Sequence, residues 1–347
     1  MGASSRPHSN LLAVGPMSVC SNGVNFNGSN APADELYSGA FDGTNYVAVG
    51  GFTGFKSGNS RVYTSTNGVD WVQRTGNSSY GLTSVCYASN RWVAVGGNGT
   101  VITSPNTLAW TLRTSGTGST LNSVAFANGL YAAVGDSGTV ITSPDAVSWD
   151  VQFSGTVNDL NGIVYQGGQF VAVGAAGTIL TSPDAVNWTT QNSGTNTALY
   201  TIAYGSGNYL VGGYDGGVGL TLSVYLSSTN GTNWETISTK IPSAIAVHSV
   251  TYLNQSFWIL GDNGMILQSD VADGIPHFAG SMMSGNGGMK LKVTLNPAAS
   301  YRVQFCTNLV TDTWRDVYTN TSLVSSDTWI DTNAAQRASG LYRIVSP

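Results

Sequence analysis

Short apolar runs alternate with clusters of Gly, Asn, Ser and Asp along most of this chain, and they come in register. VAVGGNGTVITSPNTLAW (93–110), AAVGDSGTVITSPDAVSW (132–149) and VAVGAAGTILTSPDAVNW (171–188) are near-copies spaced 39 residues apart. Each run is short, rich in Val, Ile, Thr and aromatic residues and bounded by turn formers, which is the pattern of strands rather than helices. One unit reads as four strands, A to D. Strand A has the form L-x-S-V-x-Y in LYSGAF (36–41), LTSVCY (82–87), LNSVAF (121–126), LNGIVY (160–165), LYTIAY (199–204) and VHSVTY (247–252). Strand B is the VAVG run, ending at Gly15, Gly50, Gly96, Gly135, Gly174, Gly213 and Gly261. Strand C is of the TVITS type, and strand D starts at Trp71, Trp110, Trp149, Trp188 and Trp234.

A period of about 40 residues holding four short strands predicts an all-β fold, a β-propeller whose blades stand around a central channel. Counting B strands favours seven four-stranded blades over six. Residues 11–26 supply strands B and C of a blade that lacks its strand A. An open sheet edge invites aggregation, so a C-terminal strand drawn from 276–295 is expected to complete that blade. The repeat stops after residue 275. Beyond it MKLKVTL, YRVQFCTNL, DTWIDT and LYRIVSP alternate apolar and polar positions. The chain therefore divides into a propeller, 1–275, and a small β-sandwich-like C-terminal domain, 276–347.

Composition narrows the function. Gly makes up 44 of 347 residues and charged residues only 9%, so solubility rests on Asn, Ser and Thr, as in an extracellular all-β protein. The net charge of -5, with 13 Lys plus Arg, leaves no basic stripe for phosphates, which argues against nucleic acid and anionic membrane surfaces as partners. No apolar run approaches the roughly 18 residues that would suit membrane insertion. Cys20, Cys86 and Cys306 stand far apart without a CxxC, so they read as small buried residues rather than as disulfides or zinc ligands. His8, His248 and His277 form no HxH or HExxH, and no Ser sits in a GxSxG elbow; neither metal nor cofactor is expected. The opening MGASSRPHSN lacks the charged-then-apolar order of a secretory signal, so either a signal has been removed or the protein stays inside. None of these patterns encodes an oligomeric state.

The turn between strands C and D reads S-x-[DN]-x-x-x-W five times: Ser65, Asn67, Trp71; Ser104, Asn106, Trp110; Ser143, Asp145, Trp149; Ser182, Asp184, Trp188; Ser228, Asn230, Trp234. An Asx side chain there accepts backbone N–H groups two residues on while the indole packs beneath. The motif resembles the Asp-box, or BNR-like repeat, of sialidase-type and photosystem-assembly-factor-like propellers, one residue shorter than the usual S-x-D-x-G-x-x-W. Likeness to sialidases implies three arginines on the substrate carboxylate and a Tyr–Glu pair. Here Arg6, Arg61, Arg74, Arg91 and Arg113 crowd the early units, and Glu235 follows Trp234 beside the structural turn, with Glu35 the other glutamate; sialidase activity is not expected. YRVQFCTNL (301–309), Trp314 and the closing LYR (341–343) resemble a module common at the C-termini of secreted proteins from environmental bacteria. That resemblance implies export, to the extracellular space or the cell surface.

Strand direction alternates, so B-to-C and D-to-A loops share one face, where propellers usually bind ligands. The second residue of strand A varies while its neighbours hold: Tyr37, Thr83, Asn122, Asn161, Tyr200 and His248. Two B-to-C loops are long, 50–60 with Phe52, Phe55 and Lys56, and 212–223 with Tyr214 and Asp215. Aromatics among amides and carboxylates suit sugars, because a ring stacks on the apolar face of a pyranose while polar groups take its hydroxyls. The expected function is a non-catalytic binding module for a glycan or another protein, with Tyr37, Tyr200, Tyr214, Asp215, His248 and Asp262 as contacts. A glycoside hydrolase or lyase using Asp136, Asp159, Asp215 or Asp262 in the funnel is the alternative, and a protein-binding scaffold a further one.

Overall fold

The near-copies fold alike because every unit buries the same two strands. In strands B and C nearly every side chain is buried, whereas strand D is exposed along most of its length. Central strands covered on both faces need continuous apolar runs rather than alternation, and VAVG and VITS are such runs. The computed structural model describes residues 35–51, 59–68, 70–215 and 222–237. It further describes the strands Asn10–Leu12, Val19–Ser21, Val247–Leu253, Ser256–Gly261, Met265–Gln268, Gly280–Gly285, Gly288–Thr294, Tyr301–Cys306, Arg315–Asn320, Ser326–Asp331 and Leu341–Val345.

Five four-stranded antiparallel sheets follow one another, each pairing A with B, B with C and C with D. They span 35–75, 82–113, 121–152, 160–191 and 199–236. A sixth, 247–268, shows strands A to C. Neighbouring A strands lie side by side, which makes A innermost and D the outer edge. Asn10–Leu12 pairs with Val19–Ser21 and lies against the A strands of both the first and the sixth sheet, where a seventh unit belongs. Six of the seven expected B strands are present; of the one expected to end at Gly15, only Leu11 and Leu12 fall among the described residues. The strands between 280 and 345 form two separate three-stranded antiparallel sheets, and Gly280–Gly285 lies beside Met265–Gln268.

The core sits between blades. One layer joins Val47, Val49, Leu82, Val85, Trp92 and Ala94 of the first and second sheets. Another joins Val93, Val95, Leu121, Val124, Tyr131 and Trp149 of the second and third, and the series continues to the sixth. The last residue of the L-x-S-V-x-Y motif meets the first aromatic of strand B in every sheet, with ring centroids 4.3 to 5.0 Å apart from Phe41–Tyr46 to Tyr252–Phe257. Cys86 packs against the layer between the second and third sheets. The residue as a whole is half-buried, but burial of its thiol pushes the pKa up to about 12, so it stays protonated and inert. Of the other two cysteines the side chains lie outside the described residues.

The varying second residue of strand A is a β-bulge in all six sheets, between Leu36 and Ser38, Leu82 and Ser84, Leu121 and Ser123, Leu160 and Gly162, Leu199 and Thr201, and Val247 and Ser249. A bulge aims its extra side chain off the sheet's own ladder, and in three blades that side chain ties one blade to the next. Thr83 Oγ1 donates to Leu121 O at 2.5 Å, Asn122 Nδ2 to Leu160 O at 2.9 Å, and Asn161 Nδ2 to Leu199 O at 2.8 Å. The following residue adds a second tie. Hydroxyls of Ser38, Ser84, Ser123 and Thr201 accept the amides of Val85, Val124, Ile163 and Val250 in the next blade.

Candidate functional site

The two faces of the ring differ in what their loops do. On the C-to-D face the repeated turn is a closed hydrogen-bonded unit. In the fourth sheet Asp184 Oδ1 accepts Val186 N at 3.0 Å and Asn187 N at 2.8 Å, the Ser182 hydroxyl bonds Asp184, and Trp188 Nε1 donates to Ala185 O at 3.0 Å. The first, second and fifth sheets repeat this with Asn67, Asn106 and Asn230. The third repeats it with Asp145, although Trp149 Nε1 is buried without a partner among the described residues. The residue after the Asx is left-handed each time, at φ 72 for Gly68, 65 for Thr107, 57 for Ala146, 58 for Ala185 and 74 for Gly231. Strand D begins one residue after the tryptophan, whose indole belongs to the turn. Backbone N–H donors hold Asp145 and Asp184 below the usual carboxylate range, chiefly those of Ser148 and Val147 for the first and of Asn187, with its side chain, for the second. These carboxylates are committed to the turn.

On the opposite face the second, third and fourth sheets close B to C with a one-turn 3-10 helix, Gly97–Gly99, Asp136–Gly138 and Ala175–Gly177. The turn presses on the D-to-A connection. A Cβ at Gly99, Gly138 or Gly177 would stand 2.0, 2.0 or 1.9 Å from the carbonyl oxygen of Thr117, Thr156 or Thr195. The B-to-C turns of these three blades raise no hairpin.

The fifth sheet departs from that plan. Its B–C ladder runs on through Gly213↔Val224 and Tyr214↔Ser223 to Asp215↔Leu222, so the hairpin stands above its neighbours. Tyr200 fills the bulge position there, and in place of an amide reaching the next blade its ring stacks on Tyr214, centroids 4.4 Å apart at 24°. Tyr214 in turn meets the ring of His248, the bulge residue of the sixth sheet, edge-on at 6.5 Å. Tyr200 and Tyr214 are half-buried, whereas His248 and Asp215 are exposed.

The structure thus brings together three of the expected contacts, Tyr200, Tyr214 and His248, with Asp215 the next residue along the same hairpin. Tyr37 occupies the bulge of the first sheet, and Asp262 with Phe52, Phe55 and Lys56 lies outside the described residues. Asp136 and Asp159 share one loop cluster but are used by the chain: Asp136 accepts Asn122 Nδ2 at 2.9 Å, and Asp159 accepts Ser137 N at 2.8 Å. Asp215 belongs to a different blade. Thr83, Asn122 and Asn161 prove to be inter-blade ties, a role invisible until the neighbouring carbonyl is placed. Comparing units pointed to the position but not to its geometry.

Charge divides the ring as well. Residues 114–237 contain no Lys or Arg but include Asp136, Asp145, Asp150, Asp159, Asp184, Asp215 and Glu235. The aromatic cluster lies in this acidic half. Two open grooves of 540 and 560 Å³ belong instead to the first and second sheets, lined among others by Arg61, Arg74, Tyr80, Leu112 and Arg113.

No family model and no curated protein matches the chain. Among solved structures the likeness is one of shape. YCF48 bound to D1 peptide superposes with a TM-score of 0.53 at 14% identity, covering 79% of this chain and 96% of that one. The computationally designed Ika8 protein gives 0.53 at 13% identity, covering 85% and 91%. The WD40 β-propeller domain of Doa1 gives 0.51 at 14% identity, covering 76% and 90%. At such identities these likenesses establish architecture alone, and with the repeated sheets they lead to one conclusion: the chain is a β-propeller.

Proposed function

We propose that this propeller is a non-catalytic binding module that takes an extended polypeptide segment carrying Lys or Arg over the fifth and sixth blades. The observation that carries the reading is the cluster of Tyr200, Tyr214 and His248: Tyr200 and His248 stand at bulge positions that elsewhere tie blades together, and Tyr214 on the hairpin with the longest B–C ladder among the described residues. Tyrosine faces attract ammonium and guanidinium groups, the exposed Asp215 follows Tyr214 on the same hairpin, and no described Lys or Arg of this half competes. Supporting the polypeptide reading, a propeller of similar fold, YCF48, is bound to a D1 peptide. Asp136 and Asp159, engaged by Asn122 and Ser137, serve the loops in this reading rather than hydrolysis. The composition and the C-terminal YRVQFCTNL stretch support an exported protein with 276–347 as an accessory β-domain.

A glycan is the second reading, favoured by stacked tyrosines beside a carboxylate. An array of short peptides graded in charge and aromatic content, run in parallel with native gels containing soluble polysaccharides, separates the two. Capture of basic peptides by the wild type and its loss in Tyr200→Asn is the expected result. Polysaccharide retardation without peptide capture would replace the ligand class, and release of reducing sugar would replace the function.

A further inference from the structure

The third residue of strand D does the same job in four blades with two different charges. Arg74 Nε donates to Thr64 Oγ1 at 3.0 Å and Arg113 Nε to Thr103 Oγ1 at 2.9 Å, while Gln152 Nε2 and Gln191 Nε2 donate to Thr142 and Thr181 at 2.9 and 2.8 Å. The next position reads Thr75, Thr114, Phe153 and Asn192, and four residues further on stand Ser79, Gly118, Val157 and Asn196. Only the third sheet puts large apolar side chains at both. They are 86% and 85% exposed, against a scaffold that needs neither.

Phe153 and Val157 are not isolated. Val151, on the same face of its strand as Phe153, is 56% exposed, and Leu112 in the corresponding place of the second sheet is 54% exposed. A Cβ at Gly116 would touch Val151 Cγ2 at 3.4 Å, so the loop that follows Leu112 abuts the third sheet's outer strand. Leu112 lines the groove shared with Asn77, Ser78, Ser79 and Tyr80, which follow the first sheet, so the patch is Val151, Phe153 and Val157 on the third blade, beside its boundary with the second, and apolar side chains gathered at a surface mark a contact site.

Charge tells what covers it. On one side lie Arg74 and Arg113, and the arginines of the six propeller sheets, Arg61, Arg74, Arg91 and Arg113, all belong to the first two. On the other side stand Asp150 and Asp159, both exposed, in a stretch without a single Lys or Arg. A surface that is basic on the left, acidic on the right and apolar between is complementary to itself across a two-fold axis running along the boundary. We propose that this surface joins two copies of the chain, Phe153 and Val157 packing at the centre and the basic blades of each copy facing the acidic blades of the other. A stable interface covers about 800 Å² per partner, more than three side chains supply, so the charged flanks are part of it.

Sedimentation equilibrium on the full chain over a concentration series tests this. The chain's own repeats supply substitutions that the fold already accommodates: Phe153→Asn with Val157→Asn places the fourth blade's residues in the third, and Arg113→Gln copies Gln152 and its bond to threonine. The wild type is expected to dimerise, more weakly at high salt. The double variant, with an unchanged melting curve, should raise the dimer dissociation constant by roughly tenfold or more. Arg113→Gln should weaken the dimer less and flatten its salt dependence. A wild type that stays monomeric throughout, or a double variant that dimerises as tightly, would overturn the proposal. Neither outcome touches the peptide site, which lies on other blades.

Discussion

Gly138 and Gly129 both sit at positive φ, 68 and 77, yet only one has a neighbour in the way. A Cβ at Gly138 would stand 2.0 Å from Thr156 O, whereas nothing lies within 4 Å of the same atom at Gly129. Left-handed strain alone costs roughly 1–2 kcal/mol, and stiffening of the unfolded chain returns part of it, so Gly129→Ala should destabilise by about 1 kcal/mol. Gly138→Ala must also push two loops apart and should cost about 3 kcal/mol or more. Urea denaturation of the pair reads the difference, and equal midpoints would deny the close approach of the loops. Acid tests the turn residues. Asp145 and Asp184 are held below their ordinary range, under an unfolded value of about 3.9. The stability they lend is therefore complete above that value and drains away as pH falls through their folded values. Asp145→Asn with Asp184→Asn keeps the Oδ1 acceptors, as Asn106 and Asn230 do. In urea midpoints below about pH 4, the double variant should lose less than the wild type; parallel losses would mean that the two carboxylates do not carry the acid sensitivity.

At the scale of elements, what holds one blade to the next is a short list of bonds from the bulged end of strand A. Thr83→Val keeps the shape and removes the hydroxyl that reaches Leu121 O. It should cost about 1–2 kcal/mol, since a buried carbonyl loses its donor, and an unchanged unfolding midpoint would show that the tie is incidental. Strands A to C, and the glycines and tryptophans between them, were legible from sequence because each answers to its own chain neighbours: alternation, burial on both faces, turn chemistry. The bulge was not legible. Variation at the second position of strand A marks it as free of the ladder, but whether it ties, as Asn161 does, or faces outward, as His248 does, depends on a carbonyl or ring in the adjacent blade. The site shows the same limit. Tyr200, Tyr214 and His248 could each be picked from the loops, yet their assembly into one cluster rests on the extra ladder pairs after Gly213, which the loop's length alone did not specify. Aligning the units marks Phe153 and Val157 as departures from the repeat, but the pattern alone does not say that both side chains face solvent.

Across the whole molecule the repeats separate scaffold from function. Positions shared by the blades close turns, fill the layers between sheets and tie neighbours. The acidic fifth blade breaks that pattern, where Tyr200, Tyr214 and Asp215 replace Asn161, Ala175 and Ala176 of the fourth. If the difference between the two blades is a binding site and not a structural need, it can be erased. The most direct measurement is peptide capture by the triple variant Tyr200→Asn, Tyr214→Ala, Asp215→Ala, read beside its melting curve. The account predicts a variant that melts as the wild type does, within a few degrees or higher because the tie to the sixth blade is restored, and that no longer captures basic peptides. A variant that fails to fold, or one that folds and still binds them, would contradict it.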